Sequence, residues 1–72
     1  MIKLSMIRKG LPVQILRLPD GDMRMQFIRI GLMEGALVTC IERLPGGTMV
    51  LQHHRQEVAL SADLADSIWV SQ

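Results

Sequence analysis

The sequence is poor in aromatic residues and has almost no net charge. Phe27 and Trp69 are the only aromatic residues, there is no tyrosine, and 8 basic against 7 acidic side chains leave a net charge of +1. A protein whose main task is to hold a phosphate backbone usually carries a basic stripe and a high isoelectric point. The charge balance therefore argues against a nucleic-acid-binding protein.

Long apolar runs are also missing. The longest uncharged apolar stretch, residues 35–41, is far shorter than the roughly 20 residues that a membrane-spanning helix needs. Lys3, Arg8 and Lys9 place charges where a signal peptide would have an unbroken apolar region. We therefore predict a chain that does not span a membrane and stays in the cytoplasm.

Cysteine is nearly absent, since Cys40 is the only one in the chain and no internal disulfide bond can form. This agrees with a reducing compartment. A chain of 72 residues buries only about 60% of the surface that its extended form exposes, which leaves little room for a deep substrate cleft. The composition predicts a single small domain over residues 1–72 that is not an enzyme.

Hydrophobic residues make up 49% of the chain, and glycine and proline interrupt them at short intervals. This pattern predicts short strands over residues 13–18, 36–43, 49–53, 57–60 and 68–70. Residues 36–43 are apolar on both alternating faces, which is typical of a strand in a small closed barrel. Ser61 is predicted to cap a short helical turn. The expected fold is mainly β: a small barrel of about five strands with one short helix and that further turn.

One segment changes to helical periodicity. Met23, Phe27 and Ile30 are spaced i, i+4 and i+7, which predicts a helix of about two turns with these three side chains buried. Asp22 is expected to cap the helix at its start. Gly31 is expected to end it, because glycine readily takes the left-handed conformation found after a helix C-terminus.

The helical segment resembles a known family. Residues 24–35, Arg-Met-Gln-Phe-Ile-Arg-Ile-Gly-Leu-Met-Glu-Gly, resemble the helix and turn of the ferrous iron transport protein A (FeoA) family of small bacterial SH3-like barrels. The downstream order is similar over most of the chain: a strand ending at residues 42–45, a loop with glycine, a hairpin, residues 58–60 and a closing strand over 68–70. The resemblance implies a stand-alone SH3-like domain.

The same resemblance implies the protein's function. It implies an accessory role in ferrous iron uptake through contact with the cytoplasmic part of FeoB, a membrane permease that carries a GTPase domain. Fe²⁺ would be the cargo of the transport system, with no catalytic residue and no bound cofactor in this chain. Gly31, Leu32 and Gly35 would form the structural turn after the helix. Glu34 stands where the family commonly has proline, which affects the shape of that turn.

A metal-responsive regulator is the alternative, because a similar SH3-like domain occurs at the C-terminus of DtxR-type iron-dependent repressors. Cys40, His53 and His54 are the candidate ligands. Neighbouring residues on a strand point to opposite faces, so two adjacent imidazoles seldom bind one metal unless a turn reorients them. Cys40 lies in an apolar strand and is interpreted as a buried structural thiol. We therefore predict no dedicated metal site.

A protein interface is the remaining candidate site. Met25, Ile28 and Met33 lie off the predicted buried stripe, and Arg24 and Arg29 flank them. Apolar residues with a charged rim are expected of a modest protein interface, although scattered exposed apolar residues are also ordinary. Self-association through this patch or through a barrel edge is likewise open.

Overall fold

Six strands form one sheet in the computed structural model, which describes residues 1–71. The strands are β1 (Ile2–Lys3), β2 (Pro12–Arg17), β3 (Leu37–Arg43), β4 (Met49–His53), β5 (Gln56–Leu60) and β6 (Trp69–Val70). Their order across the sheet is β1-β6-β2-β3-β4-β5, and every neighbouring pair is antiparallel. The predicted mainly β class is confirmed.

The sheet contains one strand that the sequence pattern did not predict. β1 pairs with β6 through Ile2 opposite Val70 and Lys3 opposite Trp69, and a 3₁₀ helix over Leu4–Met6 follows it. Two residues are too few for an alternating pattern to be recognised.

Two α-helices lie between strands: α1 (Asp22–Arg29) and α2 (Ala62–Ala65). The predicted cap of α2 is confirmed, since the Leu64 amide donates to the Ser61 hydroxyl oxygen at 3.2 Å. The predicted cap of α1 is wrong. Gly21, with φ 78°, precedes the helix, and Asp22 is its first residue with no capping side chain at either position. Its carboxylate still lies near the positive end of the helix dipole.

The buried face of α1 differs in part from the predicted stripe. Phe27 is buried and Met23 packs partly buried on the core, but Ile30 is 39% exposed. The α-helix ends at Arg29, and Ile30 has φ −97° and ψ 11°, so it has left the helical path and the i+7 relation no longer applies. Ile28 instead packs partly buried against the core.

The core is built from aliphatic and sulfur-containing side chains around a single aromatic ring. Its largest fully buried members are Phe27, Leu4, Ile15, Leu32, Met49, Leu51, Ile68, Val38, Val70 and Cys40. The thiol of Cys40 is buried as predicted and lies 3.4 Å from the carbonyl oxygen of Glu42. Over residues 1–71 the core includes no polar or charged side chain.

Candidate functional site

The turn after α1, residues 31–35, begins with two backbone hydrogen bonds to the end of the helix. The Gly31 amide donates to the Ile28 carbonyl at 3.0 Å, and the Leu32 amide donates to the Phe27 carbonyl at 2.9 Å. This pair of bonds is the Schellman motif, and it requires a left-handed residue, which Gly31 supplies with φ 89°. The Leu32 side chain is fully buried, so it anchors the turn to the hydrophobic core.

An ion pair closes this turn onto the helix. One Arg24 nitrogen, Nη1, lies 2.8 Å from Oε1 and 2.7 Å from Oε2 of Glu34, and the Leu18 amide donates to Oε2 at 3.4 Å. The hydrogen bond from Arg24 is the main reason that the pKa of Glu34 lies below its ordinary value. Sequence reasoning placed Arg24 at the rim of an interface and missed its partnership with Glu34, because ten residues separate the two.

The two adjacent histidines lie in the hairpin between β4 and β5, which faces the turn after α1. β4 ends at His53, β5 begins at Gln56, and the two-residue turn His54–Arg55 joins them, so the loop is one residue shorter than predicted. His54 has φ 55°, and the ring centroids of His53 and His54 are 4.2 Å apart with a tilt of 48°. The turn therefore brings together two imidazoles that a continued strand would separate.

These elements enclose a shallow groove of about 440 Å³, here called the turn groove. Its lining residues come from the turn after α1, the start of β3 and the hairpin: Gly31, Met33, Glu34, Gly35, Ala36, His53 and His54. Cys40, the third candidate ligand, is buried in β3 and does not line the groove. Within residues 1–71 there is no cluster of three or more His, Cys, Asp or Glu side chains placed to hold a metal ion.

The candidate interface residues do not all lie on the surface. Met25 and Met33 are 54% and 46% exposed, and Arg29 is exposed as well. Ile28 is half-buried on the core, and Arg24 is engaged with Glu34. The interface stays a prediction. Of its five predicted residues, Met25, Arg29 and Met33 are exposed.

In the part of the chain that the structure describes, no helix is both long enough and apolar enough to cross a membrane.

Solved structures of similar proteins establish the fold. The solution structure of iron(II) transport protein A from Clostridium thermocellum is 27% identical, with a TM-score of 0.88 over 96% of this chain and 44% of that one. FeoA from Chlorobium tepidum is 20% identical, with a TM-score of 0.85 over 96% of this chain and 68% of that one. A manganese-dependent transcriptional repressor is 25% identical, with a TM-score of 0.81 over 94% of this chain and 39% of that one. These likenesses confirm the SH3-like fold.

The chain thus spans less than half the length of two of these three proteins. No curated protein sequence matches it. The model of the FeoA domain family matches residues 2–72, which is nearly the whole sequence. The chain therefore belongs to the FeoA domain family.

Proposed function

We propose that this protein is a non-enzymatic accessory protein of ferrous iron transport that docks on the cytoplasmic, GTPase-containing part of a FeoB-type permease. The observation that carries the proposal is family membership over residues 2–72, which supports a role in ferrous iron transport. The protein would act in the cytoplasm, where it meets that part of its partner.

The docking surface we favour is the helix patch, defined as Met25, Arg29, Ile30 and Met33. Met25 and Arg29 are four residues apart and share one face of α1. The three apolar members are 54%, 39% and 46% exposed. Methionine side chains adapt to varied partner surfaces, and Arg29 forms no ion pair within residues 1–71. These features fit a partner surface with an apolar groove and an acidic rim.

The mechanism would be conformational. A docked accessory domain changes a permease only if it binds one state of the GTPase or the pore more tightly than another. The size of the effect on transport cannot exceed that difference in binding free energy. A small interface of this kind is therefore suited to adjusting transport.

The test is the double variant Met25→Glu/Met33→Glu, measured for association with the purified cytoplasmic domain of the FeoB from the same organism. Two buried carboxylates in an apolar contact should weaken binding by about tenfold or more. Met6→Glu is the matched control, because Met6 is 71% exposed but lies in the 3₁₀ helix, beside α2. Thermal unfolding verifies that each variant is folded.

Two outcomes separate the patch from the function. Unchanged association of a folded double variant would remove the helix patch. Absence of association in the unmodified protein, by calorimetry and by co-purification with the whole permease, would remove the proposed function itself.

A transition-metal-responsive regulatory domain is the second candidate. The observation that favours it is the likeness to a manganese-dependent transcriptional repressor. This candidate requires that the chain bind a metal ion without any partner, whereas docking on a permease does not. Anaerobic calorimetry of the isolated, reduced protein with Fe²⁺ tests this requirement: absence of stoichiometric binding would remove the regulator, whereas binding alone would not argue against docking.

A further inference from the structure

The hairpin turn between β4 and β5 holds an unusual backbone conformation. His54 is the one non-glycine residue within 1–71 that has a positive φ, at 55°. Such conformations are uncommon for residues with a side chain, and where the surrounding structure maintains them they often belong to a functional site. Its consequence here is the side-by-side placement of two imidazoles, with ring centroids 4.2 Å apart.

A hydrogen bond defines the tautomer of His53. Its Nδ1 atom lies 2.9 Å from the carbonyl oxygen of Leu37. A carbonyl oxygen only accepts, so Nδ1 carries the proton, and Nε2 of the neutral ring keeps a free lone pair. Metal-binding histidines commonly donate their second ring nitrogen to a carbonyl or carboxylate in this way, which fixes the ring and increases its basicity as a ligand.

The edge of the ring that carries Nε2 borders the turn groove. A Cβ atom added at Gly31 would lie 3.4 Å from Cδ2 and 3.9 Å from Nε2 of His53, so the absence of a side chain at Gly31 leaves this edge uncovered. His54 lines the same groove and is exposed. A small hydrated ion can therefore approach both rings from solvent.

We propose that His53 and His54 form an open two-imidazole site for a first-row transition-metal ion. Imidazole nitrogen suits Zn²⁺, Cu²⁺, Ni²⁺ and iron, and the remaining coordination positions are left to water. Glu34 lines the groove, but Arg24 holds its carboxylate. Two protein ligands give modest affinity and a readily exchanged ion. The two ligands lie outside the helix patch, which shares only Met33 with the lining of the turn groove, and the site needs no partner.

Zn²⁺ is the probe, because it is diamagnetic and its coordination is visible in the ¹⁵N shifts of the imidazole rings. On titration of the isolated protein, we expect Nε2 of His53 and one ring nitrogen of His54 to shift together. Nδ1 of His53 should stay protonated, since it remains bonded to the Leu37 carbonyl.

Two substitutions remove one ligand each and preserve the local structure. Asparagine at residue 53 offers an amide N–H near the position of Nδ1, so His53→Asn removes Nε2 and retains a donor for Leu37. Asparagine tolerates the left-handed conformation, so His54→Asn removes the second ring without disturbing the turn. Each variant should bind Zn²⁺ about tenfold more weakly or worse. Arg55→Ala, in the same turn, should bind like the unmodified protein.

The site is refuted if the unmodified protein binds no Zn²⁺, if only one of the two rings responds, or if either folded asparagine variant retains full affinity. None of these results bears on association with the permease, which is measured separately.

Discussion

The two helices of this chain are held in different ways. α2 is only four residues long, is capped by Ser61, and is joined to the 3₁₀ helix by a hydrogen bond from Ser5 to Asp66. α1 is twice as long, has no capping side chain, and is anchored mainly by the buried ring of Phe27. Polar groups at the ends of α2 thus serve the fold itself.

The side chains on the exposed face of α1 make no comparable contribution to the fold. Met25 is 54% exposed, and Arg29 forms no ion pair within residues 1–71. Side chains that the fold does not need are available to a partner, which is why we propose docking for the exposed face of α1, whereas its buried face and α2 stabilise the fold. Three measurements test this difference between the two helices.

The largest effect is expected for Phe27→Ala. Removing a buried aromatic ring typically costs about 3–5 kcal/mol, a large share of the stability of so small a domain. The measurement is urea unfolding followed by fluorescence of Trp69, the only tryptophan. Met25→Ala on the same helix is the control and should change stability by less than about 0.5 kcal/mol. Similar losses in both variants would show that α1 has no distinct buried face.

A smaller effect is expected at the helix starts. Ser61→Ala removes the hydroxyl that accepts from Leu64 and should cost about 1 kcal/mol. Asp22→Ala removes no capping hydrogen bond and should cost only a few tenths of a kcal/mol through the helix dipole. Both values come from the same unfolding measurement. An equal cost at Asp22 would mean that α1 is capped in solution after all.

These helix starts also show how far local sequence signals extend. Ser61 is the only capping residue before a short apolar turn, so its role could be predicted. The segment 20–22, Asp-Gly-Asp, offers two carboxylates that could cap α1. Whether either of them does so depends on the backbone of Gly21, which has φ 78°. Composition cannot decide that conformation. The strands of four or more residues were predictable from periodicity, whereas β1 was not.

The candidate site depended still more on tertiary structure. Adjacent histidines predict opposite faces, and only the two-residue turn with its left-handed His54 reverses that expectation. Arg24 and Glu34 likewise pair only because the chain reverses direction at Gly31, after the end of α1. Burial of Cys40 could be predicted because an apolar strand is a local feature.

The smallest effect is expected for the ion pair that closes α1 onto its turn. Arg24 holds the pKa of Glu34 below its ordinary value of 4.5. A carboxyl group whose pKa is lowered by folding contributes stability above its unfolded pKa, and that contribution is lost as the pH falls through the folded value. Glu34→Gln should therefore be slightly less stable than the unmodified protein at pH 7, because an exposed pair contributes little.

That difference should begin to narrow below pH 4.5 and should close once the pH is below the lowered pKa of folded Glu34, where the protonated glutamic acid resembles glutamine. Urea midpoints at neutral and acidic pH measure it. In an Arg24→Met background the main cause of the lowered pKa is gone, so Glu34→Gln should then add little or no pH-dependent difference. A gap that persists in acid, or that survives the loss of Arg24, would mean that α1 is not fastened to its turn by this pair.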